Sequence, residues 1–222
     1  MTDVIMYIFG YGSLLWYTDF EYDEVIPGEV QDFVRRFYQL SPDHRGTEKN
    51  PGRTVTIIPE KGGSCWGLAY HVPEEYVEKT IAYLDHRERA GYRSELVTFK
   101  PDNGNQPFQV LVYIAIPENN PYLSPATSIY DICDVIISSH GRSGSNLEYA
   151  LRLADCVRRM APHIKDDHLF DIENELIKRC KSLYINDKVL FDIGYKLDYL
   201  QNMNNHTKSI EKETNYIKIS IP

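Results

Sequence analysis

Long apolar segments are missing from this 222-residue sequence. The longest, such as residues 4–9, fall far short of the roughly 20 residues that a transmembrane helix needs. Asp3 stands where a secretory signal carries basic residues, and no extended apolar stretch follows it. We therefore expect a cytosolic protein that does not insert into a membrane.

Positive charge is also scarce. The sequence has 24 lysines and arginines against 32 aspartates and glutamates, which gives a formal net charge of −8. Nucleic-acid binding depends on neutralising phosphates, so this balance argues against a nucleic-acid partner. With 42% hydrophobic and 25% charged residues, the composition is otherwise that of an ordinary globular domain.

Paired cysteines and the common catalytic motifs are absent as well. The four cysteines are scattered, with no CxxC pair and no zinc-like spacing, so we expect reduced, mostly buried thiols and no metal site. No GxSxG, HExxH, P-loop or GxGxxG motif stands in the context that its chemistry requires. The nearest approach to a nucleophile is Ser143, whose loop position before a helix favours a capping or turn role.

Hydrophobic patterning places strands in the first two-thirds of the chain and helices in the last third. About six strands are expected, at residues 4–9, 30–40, 54–58, 65–72, 96–99 and 108–116. One helix interrupts them, from Pro73 to about Arg87. Three more begin at polar caps, which are Ser128, Ser145 and either Asp166 or Asp167. This order predicts an α+β fold in which helices pack against a curved or closed sheet.

The C-terminal segment has a different composition. Beyond about Leu200 the sequence becomes polar, and Ile217, Ile219 and Ile221 alternate with polar residues. That alternation suits an edge strand, but a loosely attached tail is the favoured interpretation. We therefore expect one domain over residues 1–200 and a tail over residues 201–222.

A glycine-rich turn, FGYGSLLW, follows the first strand at Phe9–Trp16. Its two glycines allow a ligand to approach the backbone closely. Successive amides in such a turn can also hold an anion, for example a carboxylate. A simple tight turn explains the same residues equally well.

Two charged clusters are further candidates. The loop SPDHRGT contains Asp43, His44 and Arg45, which can form an ion-pair network that fixes the loop or can contact a substrate, and the first role is favoured. At the end of the first helix, Asp85 and Glu88 are three residues apart and share a face. Carboxylates are unfavourable at a helix C-terminus, which hints at function, although neighbouring arginines can balance them.

The order of these motifs resembles that of the ChaC family of glutathione-specific γ-glutamylcyclotransferases, especially its compact members without a long N-terminal extension. The resemblance spans about residues 4–185. It is carried by FGYGSL (9–14), RRF (35–37), DHRGT (43–47), PGRTVT (51–56), CWGLAY (65–70), YLD (83–85), RE (87–88), GY (91–92), YL (122–123), SGxNxEY (143–149) and HLF (168–170). Ser124 and Arg142 depart from it, since the family prefers glycine and proline at these positions.

The resemblance implies a mixed β-barrel with flanking helices, and an enzyme without metal or organic cofactor. The implied reaction cleaves reduced glutathione to 5-oxoproline and cysteinylglycine. Carried over by motif, Glu88 is the catalytic acid/base residue. The implied loop around the γ-glutamyl end consists of Gly10, Tyr11, Gly12, Ser13, Leu14 and Leu15.

Few protein groups are needed for this reaction, because the substrate's own α-amine attacks its γ-carbonyl. Holding the bent conformer that reacts can be worth roughly 7–11 kcal/mol. A carboxylate of raised pKa suits both removal of the ammonium proton and protonation of the departing nitrogen. Two alternatives remain open: a cyclotransferase for other γ-glutamyl peptides or amines, and a non-catalytic regulatory or scaffold protein.

Overall fold

Five strands close into a mixed barrel in the computed structural model, which describes residues 6–87, 91–115, 117–118, 120–125, 128–195 and 197. The strands are β1 (Met6–Gly10), β2 (Glu24–Ser41), β3 (Gly52–Val72), β4 (Tyr92–Pro101) and β5 (Phe108–Ala115). Their order is β1-β3-β2-β4-β5, and a parallel pairing of Ile8 with Leu111 joins β1 to β5. The other pairings in the barrel are antiparallel. The expectation of a closed sheet is confirmed.

Two of the six expected strands are one continuous strand. Residues 54–58 and 65–72 both belong to β3, which is 21 residues long, so the barrel has five strands. Pro59 does not end this strand, because the pairing of β2 with β3 is irregular there: between the pairs Gln31–Ser64 and Phe33–Pro59, the single residue Asp32 stands opposite residues 60–63. There Asp32 has a φ of +62°, and its carboxylate accepts a hydrogen bond of 2.8 Å from the Gly62 amide. A bulge of this kind tolerates a proline that cannot donate to the ladder.

Among the described residues, four helices occupy positions that the sequence predicts, and the last and shortest one was not predicted. The helices are α1 (Val77–Arg87), α2 (Ile129–Ser138), α3 (Asn146–Met160), α4 (Asp167–Ser182) and α5 (Lys188–Asp192). The expected caps are confirmed, since the side chains of Ser128, Ser145 and Asp166 each accept a backbone N–H of the first turn. Two-residue strands, β6 (His140–Gly141) and β7 (Gly144–Ser145), form a hairpin directly before α3.

The apolar core joins the barrel interior to the inner faces of α2, α3 and α4. Phe37 and Phe99 from the barrel and Ile136, Leu151 and Leu176 from the helices are fully buried in it. A smaller cluster forms where Leu84 packs with Ile8 and Val72, which fixes α1 against β1 and β3. Because the cores hold both sets of helices on the barrel, the loops between these elements have defined positions.

No helix in the described part of the chain is long and apolar enough to cross a membrane. The expected tail at residues 201–222, with its alternating isoleucines, lies outside the described residues. Residues 4, 5 and 116 of the expected strands also lie outside them.

Candidate active site

A cavity of about 1030 Å³ brings together the three segments selected from the sequence. The turn after β1, the loop after β2 and the end of α1 all contribute to its wall. Side chains from α3 complete it. The lining residues used below are Tyr11, Gly12, Ser13, Leu14, Asp43, His44, Arg45, Arg87, Tyr92, Tyr113, Arg142, Ser143, Glu148, Tyr149 and Arg152.

The turn after β1 contributes four of its six candidate residues to the cavity wall. Tyr11 to Leu14 line the cavity, whereas Gly10 ends β1 and Leu15 is buried in the core. Ser13–Leu15 form one 3₁₀ turn, in which the Leu15 amide is bonded to the Gly12 carbonyl at 3.0 Å. The amides of Ser13 and Leu14 therefore have no acceptor within the turn, so they are suited to bind an anionic or carbonyl oxygen.

Close packing around Gly12 explains why this position has no side chain. A Cβ placed there would lie 3.1 Å from the Tyr149 hydroxyl and 3.2 Å from Cγ2 of Val55. Both distances are tighter than most Cβ contacts in proteins. The glycine thus allows the turn to approach α3 and β3.

Arg35 holds the turn after β1 in place through buried hydrogen bonds. Its side chain is almost completely buried, with 2% of the residue exposed. Its Nε donates to the Tyr11 carbonyl at 3.0 Å, and its Nη1 donates to Oδ2 of Asp166 at 2.6 Å. The Tyr11 hydroxyl in turn donates to the Tyr113 carbonyl at 2.6 Å. The turn is therefore held rigidly between the barrel wall and the N-terminus of α4.

The end of α1 contacts the same turn. The Arg87 guanidinium donates from Nη2 to Oγ of Ser13 at 2.6 Å, and Oδ1 of Asp85 accepts a hydrogen bond of 2.8 Å from the Tyr113 hydroxyl. Glu88, the expected acid/base residue, lies outside the described residues. Arg87, directly before it, and Tyr92, four residues after it, both line the cavity.

Arg45 and Glu148 form a charged pair on another part of the wall. Nη1 of Arg45 lies 2.8 Å from Oε2 of Glu148, and its guanidinium carbon lies 5.6 Å from the centre of the Tyr149 ring. Nε of Arg152 donates to Oε1 of the same glutamate at 2.9 Å. Partial burial alone would raise the pKa of Glu148, but hydrogen bonds from the two arginines hold it below its usual value. Glu148 is therefore ionised at neutral pH, and arginines donate to both of its carboxylate oxygens, which makes it a weak base.

The loop after β2 is joined to the β6–β7 hairpin. Asp43 pairs with Arg142 at 3.2 Å, and Nδ1 of His44 lies 3.0 Å from Oγ of Ser143. Burial lowers the pKa of His44, as do the charges of Arg142, Arg87 and Arg45, whereas Asp43 opposes the shift. The ion pairs thus fix the loop, as the favoured interpretation of the sequence predicts, and its side chains face the cavity, where contact with a substrate stays a prediction.

The cysteines lie away from the cavity wall. All four are buried free thiols. Burial raises the pKa of Cys65 and Cys180 to about 11, so neither is a thiolate at neutral pH. Within the described ranges, no group of three or more histidine, cysteine, aspartate or glutamate side chains has a geometry that could hold a metal ion.

Sequence reasoning missed several residues of the cavity wall, among them Tyr113 and Arg152. Tyr113 was assigned only to an apolar central strand, although its hydroxyl in an otherwise aliphatic run is a signal for a polar partner. Arg152 follows Glu148 by four residues on α3, and this spacing indicates a helix-surface ion pair.

The fold is that of γ-glutamylcyclotransferase-like proteins. The chain is similar to a yeast crystal structure described as a γ-glutamyl cyclotransferase specific to glutathione, with a TM-score of 0.73 and 26% identity, over 78% of this chain and 96% of that chain. Sequence comparison gives the same relationship. A family model described as ChaC-like protein matches residues 6–179, so the chain belongs to the ChaC-like family.

Relatives from distant organisms have names that agree with this assignment. Glutathione-specific γ-glutamylcyclotransferase 1 of Homo sapiens is 45% identical over 167 residues, which cover 74% of this chain and 75% of that protein. The protein of the same name from Danio rerio is 42% identical over 183 residues, or 81% and 93% of the two chains. Glutathione-specific γ-glutamylcyclotransferase of Schizosaccharomyces pombe is 34% identical over 190 residues, which cover 78% of this chain and 93% of that protein. Membership of the compact branch stays a prediction.

Proposed function

We propose that the protein is a cytosolic enzyme that cleaves reduced glutathione to 5-oxoproline and cysteinylglycine without a cofactor. One observation carries the proposal: three segments that are far apart in sequence, each part of the ChaC-like pattern, meet in a single cavity. The names of the relatives specify this substrate.

Glu88 is proposed as the general base and acid. The α-ammonium group of the substrate must lose a proton before its nitrogen can attack the γ-carbonyl carbon. Glu88 takes this proton, and the attacking nitrogen releases a second proton to solvent as the ring forms. Glu88 then returns its proton to the cysteinyl nitrogen as the C–N bond breaks. Its support is the motif together with the positions of Arg87 and Tyr92, which line the cavity on either side of it in the sequence.

The turn from Gly10 to Leu15 is proposed to hold the γ-glutamyl end. Support comes from the amide groups of Ser13 and Leu14, which have no acceptor within the turn and lie on the cavity wall. Such donors bind the α-carboxylate or stabilise the oxyanion that forms on the γ-carbon. The hydrogen bond from Arg87 leaves the Ser13 hydroxyl with a proton to donate.

Most of the proposed rate enhancement comes from positioning the reacting groups of the substrate. Because nucleophile and electrophile belong to one molecule, the enzyme only has to select the conformer in which they meet, which is worth roughly 7–11 kcal/mol. Arginines on the wall can donate to the carboxylates of a ligand such as glutathione, although Arg45 and Arg152 also pair with Glu148, and Arg142 with Asp43.

The cytosolic location is supported by the thiols. Four buried, unpaired cysteines are typical of proteins that fold in a reducing compartment. Glutathione is itself part of the system that keeps cytosolic thiols reduced, so the proposed substrate and the proposed compartment agree.

The decisive test is a discontinuous assay with millimolar reduced glutathione, in which 5-oxoproline and cysteinylglycine are quantified together. We expect equimolar products from the wild-type protein. We expect Glu88→Gln to reduce turnover by at least about a hundredfold, since it removes the acid/base group. The matched control is Glu78→Gln, which removes an exposed carboxylate of α1 that does not line the cavity, and it should retain wild-type turnover.

Wild-type turnover by the Glu88→Gln variant would disprove the assigned role. Absence of product from the wild-type protein would disprove the reaction. In that case, rates with γ-glutamyl-alanine and γ-glutamyl-lysine decide between a cyclotransferase of other selectivity and a non-catalytic protein.

A further inference from the structure

Three side chains on the cavity wall are joined by consecutive hydrogen bonds that the proposed chemistry does not use. Nη2 of Arg142 lies 3.0 Å from Nε2 of His44, and Nδ1 of His44 lies 3.0 Å from Oγ of Ser143. All three residues line the cavity. These hydrogen bonds link the loop after β2 to the β6–β7 hairpin.

The direction of the hydrogen bonds follows from the chemistry of the side chains. A guanidinium group can only donate, so Nε2 of His44 accepts from Arg142 and the ring proton sits on Nδ1. Nδ1–H then donates to the Ser143 oxygen, and the Ser143 hydroxyl keeps its own proton to donate. This series of hydrogen bonds therefore ends in the Ser143 hydroxyl, a polarised donor on the cavity wall. A carboxylate oxygen is a suitable acceptor for this hydroxyl.

His44 has the protonation state that this arrangement needs. Burial and the charges of Arg142, Arg87 and Arg45 lower its pKa, with Asp43 acting in the opposite direction. The imidazole is therefore neutral at neutral pH, and Nε2 keeps the lone pair that accepts from Arg142.

The backbone holds the three residues in place before any ligand binds. The Arg142 amide donates to the Asp43 carbonyl at 3.2 Å, and the Ser143 amide donates to the His44 carbonyl at 2.9 Å. Gly141 allows this close approach, since a Cβ there would lie 2.3 Å from the His44 carbonyl oxygen. Rigid, pre-positioned donors lose little entropy on binding and so suit a ligand subsite.

We propose that Ser143 and Arg142 form a subsite for the C-terminal carboxylate of a γ-glutamyl tripeptide, with His44 as the positioning residue between them. The proposal rests on the proposed function, under which this group is the glycyl carboxylate of glutathione. Arg142 uses Nη2 for Asp43 and His44, and its side chain is 66% exposed, so the rest of its guanidinium group lies at the cavity mouth. The subsite consists of other residues than the turn that is proposed to hold the γ-glutamyl end, and both line the same cavity.

A contact to a carboxylate remote from the reacting atoms stabilises the ground state and the transition state equally. Its loss should therefore change KM and leave kcat nearly unchanged. We expect Arg142→Gln and Ser143→Ala each to raise the KM for glutathione about fivefold, as for a charge-assisted hydrogen bond near the surface, with little change in kcat. With the glycyl ethyl ester of glutathione, which lacks the terminal charge, we expect the Arg142→Gln variant to match the wild type. Arg159→Gln is the control, because it removes an equally exposed arginine of α3 that does not line the cavity.

Three outcomes overturn the inference. The first is a wild-type KM for glutathione in both variants. The second is an equal rise of KM with glutathione and with its ethyl ester, which would indicate a general effect on cavity shape. The third is no turnover of glutathione by the wild type, which overturns the proposed function as well and is thereby distinguishable from the other two.

Discussion

At the scale of single residues, the buried charge of Arg35 connects the turn after β1 with the N-terminus of α4. Its guanidinium group donates to the carbonyls of Tyr11 and Trp66 and to the carboxylate of Asp166. A planar group with five donors can satisfy this fork of acceptors, whereas an ammonium group on a flexible stem cannot. Arg35 was found in the sequence only as part of a family motif, since one buried arginine leaves no periodic signal.

Replacing Arg35 by lysine tests this role. The variant keeps the charge but leaves at least one buried carbonyl unpaired, so we expect the free energy of unfolding to fall by about 2–3 kcal/mol. Urea unfolding of Arg35→Lys measures the loss. Arg36→Lys is the control, because Arg36 pairs with the exposed Glu60, and its variant should lie within about 1 kcal/mol of wild type. Equal transition midpoints for both variants would contradict the assignment.

His168 is a second residue whose environment predicts a solution property. Its Nε2 accepts the backbone N–H of Phe37 at 3.0 Å, so it must be neutral. Burial and the charges of Arg36 and Arg35, opposed by Asp166, lower its pKa to about 4. Between pH 6.5 and 4 the unfolded chain therefore binds a proton that the folded chain excludes, and stability falls as the pH falls through this window. Above about pH 6.5 this contribution no longer changes with pH.

The expected loss between pH 7.5 and pH 5.0 from this residue is about 2 kcal/mol. His168→Gln can still accept from Phe37 but does not titrate in this range. The free energy of urea unfolding should thus drop less between the two pH values in this variant than in the wild type. Identical drops would show that the titration of His168 does not govern acid stability.

At the scale of secondary-structure elements, the N-terminus of α3 joins several parts of the molecule. Ser145 caps α3 by accepting from the Glu148 amide at 3.0 Å, and its hydroxyl donates to Asp187, the cap of α5, at 2.6 Å. Asn146 pairs with both backbone groups of Arg53, at 2.6 and 2.8 Å. The sequence predicts the cap, and Ser145 with Glu148 three residues later also has the spacing of a capping box, but the Glu148 carboxylate pairs with Arg45 and Arg152 instead of returning to the cap.

Loss of this double cap should cost more than loss of a simple one. We expect Ser145→Ala to lower the free energy of unfolding by about 2 kcal/mol, since it removes the cap of α3 and the bond to Asp187. Ser128→Ala, which removes the cap of α2 at the exposed end of that helix, should cost about 1 kcal/mol. Thermal or urea unfolding of the two variants gives the comparison, and a larger effect at Ser128 would contradict it.

At the scale of the whole molecule, barrel closure makes one cavity from distant parts of the chain. β1 pairs with both β3 and β5, so the turn that follows β1 lies among residues from each of these strands. α1 connects β3 to β4 and brings its last turn to the same place. The apolar core extends to Leu197 among the described residues.

The division into one domain over residues 1–200 and a tail stays a prediction, and truncation tests it. Removal of the residues after Asn204 should leave both the free energy of unfolding and glutathione turnover nearly unchanged, because the family match ends at residue 179 and the described core ends at Leu197. Loss of soluble expression would show instead that Ile217, Ile219 and Ile221 pair with the sheet. A chain that ends at Asp187, before α5, is the contrasting control that should lose stability, since it removes the buried Val189 and Leu190.

The sequence by itself determined the element types, the caps of the helices and the three segments of the site, because these depend on local periodicity, turn chemistry and short motifs. Only the tertiary structure decided that residues 54–58 and 65–72 are one strand, since both segments pair with β2, on either side of the irregularity opposite Asp32. It also decided that the turn, the loop after β2 and the end of α1 share one cavity. Contacts such as Arg35 with Tyr11 or His44 with Ser143 join residues 24 and 99 positions apart, and no local pattern encodes such distances.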